Sequence, residues 1–592
     1  MEQYRAPQRD ISFILEELVG YEEHCKLPGF EHATTDVVNA VLTQGAKFFE
    51  DVVAPTNSVA DEEGASLHEQ GVRAAPIFQH VYERIVDEGW HCLNGDVDLG
   101  GAGLPSVVDL ANQEMLQSSN MALSLLPMLS RGVIHALTLF GSEAQKKKYL
   151  KKLITGRWTG TMNLTESQAG SDLSLIQTKA RQCGDHYLVT GQKVYITWGD
   201  HDLSENVIHL VLARIVGAPE GNDGISLFIV PKFLVHNNGT LGLRNDVFAI
   251  GLEKKLGINA SPTCTMSFGE KDGAVGYLVG KKNQGLMCMF AMMNNARLSV
   301  GHQGVAIGER AFQKAVQYAL GRVQGSLSGG IAPVPIINHP DVKRMLLLMR
   351  ALIDAGRALS FFTVAAEDRS TRHPNEAVRE RDSVWVEILT PIVKGWCTEI
   401  SMEVTSLGVQ VHGGMGFIES TGASQLMRDC RILPIYEGTN GIQALDFVGR
   451  KCIRDGGSGL SSIVDEMRKT VEATETESGR LMVLLDSLKC AENQCITAMN
   501  EVLTRPRRGP EIAYNFLMVF GNSLGFWLLV KLAISAQRFI DEGCQDPLYE
   551  QKIVTAQFFA DHILCRNDGF LKSIFAEESV FGQLSSDHFI RP

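Results

Sequence analysis

The chain has 592 residues, 44% of them apolar and 7% aromatic, a composition that excludes a disordered protein and leaves room for several domains. Its net charge of −13 argues against a nucleic-acid footprint. The twelve cysteines are scattered without a Cys-x-x-Cys pair, so neither a metal site nor a disulfide framework is expected, and a reducing compartment fits. The stretch from Met1 to Asp10 lacks an apolar core and carries acidic residues early. It reads as neither a signal nor a transit peptide.

Residues 31 to 158 read as helical, with apolar residues at helical spacing over 37–53 and 81–90. The glycine-rich stretch Leu99 to Pro105 is a loop without the spacing of a dinucleotide or phosphate loop. From Thr159 to about Val279 the chain breaks into β-rich runs over 186–190, 193–197, 207–215, 225–230 and 263–268. Turn signals such as Gly184-Asp185 and Asn237-Asn238-Gly239 separate them, so one antiparallel domain is expected. From about Gln284 the helical pattern returns and continues to the end. The most apolar run, Phe516 to Val530, is interrupted by Gly521, Asn522, Ser523 and Gly525. It is too short to span a bilayer, and a buried helix is expected, a membrane-surface contact being the alternative. The order helix, strand, helix predicts segregated layers, an α+β chain, and not alternating βαβ units.

Five segments carry candidate chemistry. Leu164-Thr-Glu-Ser-Gln-Ala-Gly-Ser-Asp172 follows a predicted strand. Gly170 permits a tight backbone path, and Thr165 and Ser171 offer hydroxyls to a polar ring edge or a phosphate. A Ser-Asp turn of this kind also serves as a helix cap. In Lys193-Val-Tyr-Ile-Thr-Trp198 strand alternation puts Tyr195 and Thr197 on one face. That pair suits a flat cofactor with a hydrogen-bonding edge, or is an ordinary barrel-face pair. Met287, Met289, Met292 and Met293 cluster near Asn294 and Arg297, as an adaptable core or the lining of an apolar tunnel. Tyr318 to Gly325 places Arg322 at a helix end, where an arginine suits phosphate oxygens or is simply solvated.

The fifth segment is Arg428 to Gln443, which contains Ile-Leu-Pro-Ile-Tyr-Glu-Gly-Thr-Asn-Gly-Ile-Gln. Pro434 ends the preceding helix, and Asn440 with Gln443 reads as an N-cap and its capping partner. Glu437 therefore falls in a short loop ahead of a helix N-terminus. Gly438 beside it allows close approach of a ligand. Such a carboxylate acts as a base once a substrate excludes water; an exposed loop glutamate with no task is the plainer alternative.

Ile435-Tyr-Glu-Gly-Thr439 closely resembles the catalytic loop of the acyl-CoA dehydrogenases, and Gln410-Val-His-Gly-Gly-Met-Gly-Phe417 and Leu164–Asp172 resemble that family's other signatures. The usual acidic or amide residue three after the phenylalanine is Ser420 here, and a frequent glutamine is Gly441. The resemblance covers roughly residues 35 to 450. It implies an N-terminal segment (1–34), an N-terminal helical domain (35–158), a middle antiparallel β-barrel (159–280) and a C-terminal helical bundle (281–454). Residues 455–592 resemble the additional helical domain of a longer bacterial subgroup that includes 3-methylmercaptopropionyl-CoA dehydrogenases.

By the same resemblance Glu437 is the catalytic base of an FAD-dependent α,β-dehydrogenation of an acyl-CoA thioester, of the kind found in β-oxidation. Met162, Leu164, Thr165, Tyr195 and Thr197 are expected at the flavin, and Gly170, Ser171 and Thr439 at the FAD diphosphate. Arg322, Gln410 and Gly414 are expected at the FAD of a neighbouring subunit. Ser171, Asn294, Arg297, Tyr436 and Gly438 are the candidate substrate contacts, and Glu166 and Asp172 are expected to be structural. The resemblance further implies a homodimer in the bacterial cytoplasm, with electron-transfer flavoprotein as acceptor. An acyl-CoA oxidase and a non-catalytic flavin-binding scaffold are the rival readings.

Overall fold

The computed structural model describes residues 4–327, 330, 332–577 and 580–590. The chain forms two compact units, one of Met1–Gln8 with Gly29–Ser299 and one of Arg9–Pro28 with Val300–Pro592.

The first unit begins with helices, among them Thr35–Phe48, Phe78–Asp87, Ser106–Ser119 and Met121–Phe140. The helical expectation for 31–158 misses one element: β1 (Ser66–His68) and β2 (Gly71–Arg73) form an antiparallel hairpin. Its turn is Glu69-Gln70, which lacks the Asn-Gly or Asp-Gly signal of a two-residue hairpin turn. The Met121–Phe140 helix is apolar and long enough to cross a membrane, but most of it is buried in protein.

Ten strands follow: β3 (Trp158–Asn163), β4 (Lys179–Cys183), β5 (His186–Thr197), β6 (Asn206–Ile215), β7 (Ile225–Pro231), β8 (Phe233–Val235), β9 (Leu241–Arg244), β10 (Val247–Leu252), β11 (Thr263–Phe268) and β12 (Ala274–Val279). The main sheet runs β10-β11-β5-β12-β7-β6-β3, with β4 against β5 and β6, while β8 and β9 pair separately. Tyr187, Val189, Ile196, Phe228, Met266 and Phe268 fill its interior.

Two features depart from the sequence reading. The runs 186–190 and 193–197 are one strand, because Gly191 continues it, bending closely over Thr178, where a Cβ would lie 2.6 Å from the hydroxyl. The sheet is also not wholly antiparallel, since β3 and β4 both run parallel to β6. The long stretch between β3 and β6 supplies the crossover that parallel neighbours need.

The second unit is helical. Its complete helices include Pro340–Arg372, Glu376–His412, Ala423–Cys430, Asn440–Val448, Gly479–Thr504, Gly509–Asp541 and Pro547–Phe559. The glycines that interrupt the apolar run of Gly509–Asp541 have a packing role. A Cβ at Gly521 would lie 2.3 Å from the Trp396 ring, and one at Gly525 2.9 Å. This helix is buried in the bundle, as its sequence predicts.

The N-terminal residues 9–28 belong to this unit. Asp10 receives hydrogen bonds from Arg350 at 2.6 Å and Lys552 at 2.5 Å. Fully buried Arg357 bridges Glu309 at 2.7 Å and Asp354 at 3.2 Å. Three cations thus meet three carboxylates, the balance that buried charges require.

Candidate active site

The Glu437 loop is shaped by helix termini. The helix Ala423–Cys430 ends ahead of a run of turns, and the next helix begins at Asn440. Its N-cap is Thr439, whose side chain accepts from Ile442 N at 3.3 Å. The sequence reading placed the cap one residue later. Asn440 is instead the first helical residue, and its amide faces inward. It accepts from Lys394 Nζ at 3.0 Å and donates to Gly395 O at 3.1 Å and Glu399 at 2.9 Å. Gln443 is no capping partner for Asn440; its Nε2 donates to the carbonyls of Glu437 at 3.3 Å and Gly438 at 3.1 Å.

Glu437 has φ +56° and Gly438 +86°. Glycine enters this region freely, but a glutamate there is held by its surroundings. Such outliers concentrate at functional sites, because something else must stabilise them. Tyr436, next to Glu437, hydrogen-bonds to Gln303. Desolvation and the neighbouring Glu437 charge push its phenol well above the usual range, so it stays a neutral donor.

In the first unit the segment after β3 is anchored by a carboxylate. Glu166 is buried and accepts from Lys193 Nζ at 2.8 Å, Thr178 Oγ1 at 2.6 Å, Gln177 N at 2.7 Å and Thr178 N at 3.0 Å. Burial opposes its ionisation, but Lys193 and these donors prevail and hold the carboxyl down to about 2. Burial pulls the Lys193 ammonium down to about 8, still above neutrality, so the two form an ion pair at pH 7. Lys193 Nζ also donates to Leu164 O at 2.8 Å. Asp172 accepts from Ser174 N at 2.9 Å. Both carboxylates therefore have local bonding roles, as the sequence reading expects.

This anchoring leaves Gly170 and Ser171 exposed, and a Cβ at Gly170 would meet only the Thr165 methyl, at 3.9 Å. Met162 is buried at the end of β3, and Leu164 and Thr165 are half-buried. Tyr195 is 64% exposed and has φ +61°. It lies where the β5–β11 register shifts, so it occupies a bulge and not a regular strand position. Bulges re-aim side chains and recur beside active sites. Thr197 is half-buried, while Ile196 and Trp198 are buried. Thr165 and Thr197 are tied through their carbonyls, to Val194 N and Thr161 Oγ1. Those bonds do not use their hydroxyls.

Arg297 is buried and donates to Asn294 Oδ1 at 3.3 Å, one helical turn away. Met289 and Met292 are core residues, Met292 against Gly132, whereas Met287 is 52% exposed. In the second unit Arg322 is exposed just past the end of the Gly285–Gly321 helix, and Gln410 and Gly414 are exposed around the end of Glu376–His412. Beside them Phe417 is 85% exposed. Among the described residues no cluster of metal-ligating side chains occurs. Gln443, Gln303 and Lys193 were missed from sequence. Gln443 carried only a capping signal, and Lys193 is the one lysine or arginine of its strand.

A flavin fits these residues by their chemistry. The exposed Tyr195 ring stands in a strained bulge with Thr197 two residues along the strand, and the bond from Val194 N to Thr165 O seats the Leu164–Asp172 loop beside that strand. Comparison with known proteins agrees. Family descriptions match in order: acyl-CoA dehydrogenase N-terminal domain (38–157), middle domain (161–270), C-terminal domain (283–451) and acetyl-CoA dehydrogenase C-terminal like (463–582). The chain belongs to the acyl-CoA dehydrogenase family and is an FAD-dependent oxidoreductase acting on the CH–CH bond of an acyl-CoA.

It is 44% identical to a 3-methylmercaptopropionyl-CoA dehydrogenase of Ruegeria pomeroyi, over 95% of this chain and 96% of that one. It is 32% identical to a broad-specificity linear acyl-CoA dehydrogenase of Mycobacterium tuberculosis, over 95% and 96%. The crystal structure of a Bacillus anthracis acyl-CoA dehydrogenase complexed with FAD superposes with a TM-score of 0.75 at 22% identity, covering 99% of this chain and 93% of that one. At that identity the likeness speaks for the fold alone.

Proposed function

We propose that Glu437 is the base that removes the α proton of the acyl-CoA, and that the acyl group is short, of the class a 3-methylthiopropionyl thioester represents. The observation that carries the base assignment is the left-handed backbone at Glu437, held between a capped helix and the Gln443 amide. The acyl class rests on the near full-length likeness to the Ruegeria enzyme. The α proton leaves to the Glu437 carboxylate as a hydride leaves the β carbon, giving a trans-2-enoyl thioester. Bound FAD supplies the hydride acceptor. Because an enolate-like charge develops on the thioester oxygen, donors must meet it, and the Glu437 backbone N–H is the one we assign. Tyr195, Thr197, Thr165 and Met162 would hold the flavin ring, and Ser171 and Gly170 its diphosphate. Twelve free thiols support a reducing compartment, which we take to be the bacterial cytoplasm.

Assay of a ladder of acyl-CoA lengths, with and without a thioether, tests the substrate. The expected result is the highest kcat/KM for short chains, with electron-transfer flavoprotein as acceptor and little peroxide. A clear optimum at long chains would overturn the acyl class, and stoichiometric peroxide the choice of acceptor.

We further propose a homodimer, in which Arg322, Gln410 and Gly414 complete the partner's FAD site. Its support is the exposed apolar group of Met415, Phe417 and Ile418 beside these polar residues. Light scattering is expected to give twice the mass of one chain. A stable monomer with full FAD content would refute the dimer.

A further inference from the structure

The polar groups behind the Glu437 loop do not end at its own helix. Gln443 is fully buried, and its Nε2 bridges the carbonyls of Glu437 and Gly438. The opposite amide orientation would turn its oxygen on two carbonyl oxygens, so the donor side is fixed by its partners. One turn earlier, Asn440 uses its amide fully: it accepts from Lys394 and Thr398 and donates to Gly395 O and Glu399. Glu399 in turn accepts from the Tyr514 hydroxyl at 2.9 Å. Tyr514 lies on the Gly509–Asp541 helix, in the region beyond residue 455.

Apolar contacts follow the same path. A Cβ at Gly395 would lie 2.9 Å from Leu517 and 3.5 Å from the Gln443 Cβ, so only glycine lets these elements converge. Phe447, at the far end of the loop's helix, meets the rings of Phe516 at 5.1 Å and Phe520 at 5.4 Å. Thus the Asn440–Val448 helix is braced by the Gly509–Asp541 helix along its length, and its first turn carries the two amides that hold the loop.

We propose that Gln443 and Asn440 are positioning residues for Glu437, and that the Gly509–Asp541 helix of the C-terminal extension supports them through Tyr514, Glu399 and Leu517. This rests on the assignment of Glu437 as base. The device works by geometry. The strained Glu437 backbone relaxes without the Gln443 clamp, and a carboxylate displaced by about 1 Å from the α proton loses on the order of 10²-fold in rate.

The test is anaerobic stopped-flow reduction of the holoenzyme flavin by a good acyl-CoA, with FAD content and substrate affinity measured separately. Gln443→Met keeps size but loses the donor. It is expected to slow reduction by roughly 10- to 10²-fold, with FAD content and substrate affinity near those of wild type. Gln443→Glu turns a carboxylate on two carbonyls, and its protonated form regains a donor. Relative to wild type at the same pH, its reduction rate is therefore expected to recover as pH falls, since loss of the Glu437 base on protonation is common to both proteins. Tyr514→Phe alters only a half-exposed hydroxyl. It is expected to slow reduction by about 2- to 5-fold, and it provides the test should Gln443→Met fail to fold.

A reduction rate for FAD-loaded Gln443→Met within about twofold of wild type, small against a misplacement effect, overturns the positioning role. So does a Gln443→Glu profile that parallels wild type. An unchanged Tyr514→Phe overturns the part assigned to the C-terminal extension. Glu437→Gln run alongside separates the layers. If it is inactive while Gln443→Met is normal, positioning alone fails; if it is normal, the base assignment fails and takes positioning with it.

Discussion

Glu437→Gln is expected to slow flavin reduction by roughly 10²- to 10⁴-fold or more, the scale of losing a positioned general base. The amide keeps the size of the side chain and its hydrogen-bonding capacity but has no basic carboxylate. The loop should keep its shape, because its path is set by the Thr439 cap, the Asn440 amide and the Gln443 bridge. FAD binding and substrate affinity are therefore expected to persist, so the loss falls on the chemical step. Anaerobic stopped-flow bleaching by a good acyl-CoA measures it. Bleaching within about threefold of wild type, far short of a base deletion, would show that another group takes the proton.

The second large effect is on the Leu164–Asp172 loop, which we propose faces the flavin. Lys193→Met leaves the Glu166 carboxylate buried without its cation, and breaking a buried pair in this way costs about 3–5 kcal/mol. The barrel core should survive, because methionine fills the same volume. The loop from Leu164 to Asp172 should loosen, since Lys193 also holds Leu164 O. FAD retention is expected to fall, along with the melting temperature. The pH dependence gives the mechanism. In wild type the folded Glu166 titrates near 2, below its unfolded value of about 4.3. Its ionised form therefore contributes stability that is complete above about pH 4.3 and is lost as pH falls toward 2. In Lys193→Met the carboxylate lacks its partner, so acidification should relieve the penalty and narrow the difference from wild type. Melting curves from pH 7 to 3 at fixed FAD decide this; a difference independent of pH would mean the loss is only one of packing. Tyr195→Ala, which leaves the ion pair intact, tests separately the role in FAD retention that we propose for the ring.

Where structure came from local pattern, the sequence was legible. The helical spacing, the β-rich middle, the buried apolar helix at 509–541 and the loop position of Glu437 all rest on signals within a dozen residues. Turn residues, an apolar period and a proline are enough to produce them. The same holds for Asp172, whose bond to Ser174 N is local, but not for Glu166, whose cation Lys193 comes from a later strand.

What local pattern could not supply is pairing between distant segments. The bulge that exposes Tyr195 exists because β5 and β11 meet one residue out of register, and Cys264 to Met266 lie far along the chain. The parallel seating of β3 on β6 is a choice of partner, invisible in either strand. The N-cap moved from Asn440 to Thr439 because Lys394, Gly395 and Glu399 claim the Asn440 amide. Residues 9–28 belong to the second unit because Asp10 neutralises Arg350 and Lys552. Gln443 reads as a capping residue in sequence and becomes a clamp only when the chain folds around Gly395. The sequence by itself determined which segments are helix or strand, because propensity and turn chemistry act over a few bonds, and its resemblance to the acyl-CoA dehydrogenase loop singled out Glu437 as the candidate base. The tertiary structure alone decided which backbone is strained and what holds it, because buried donors and charges must find partners wherever the fold brings them.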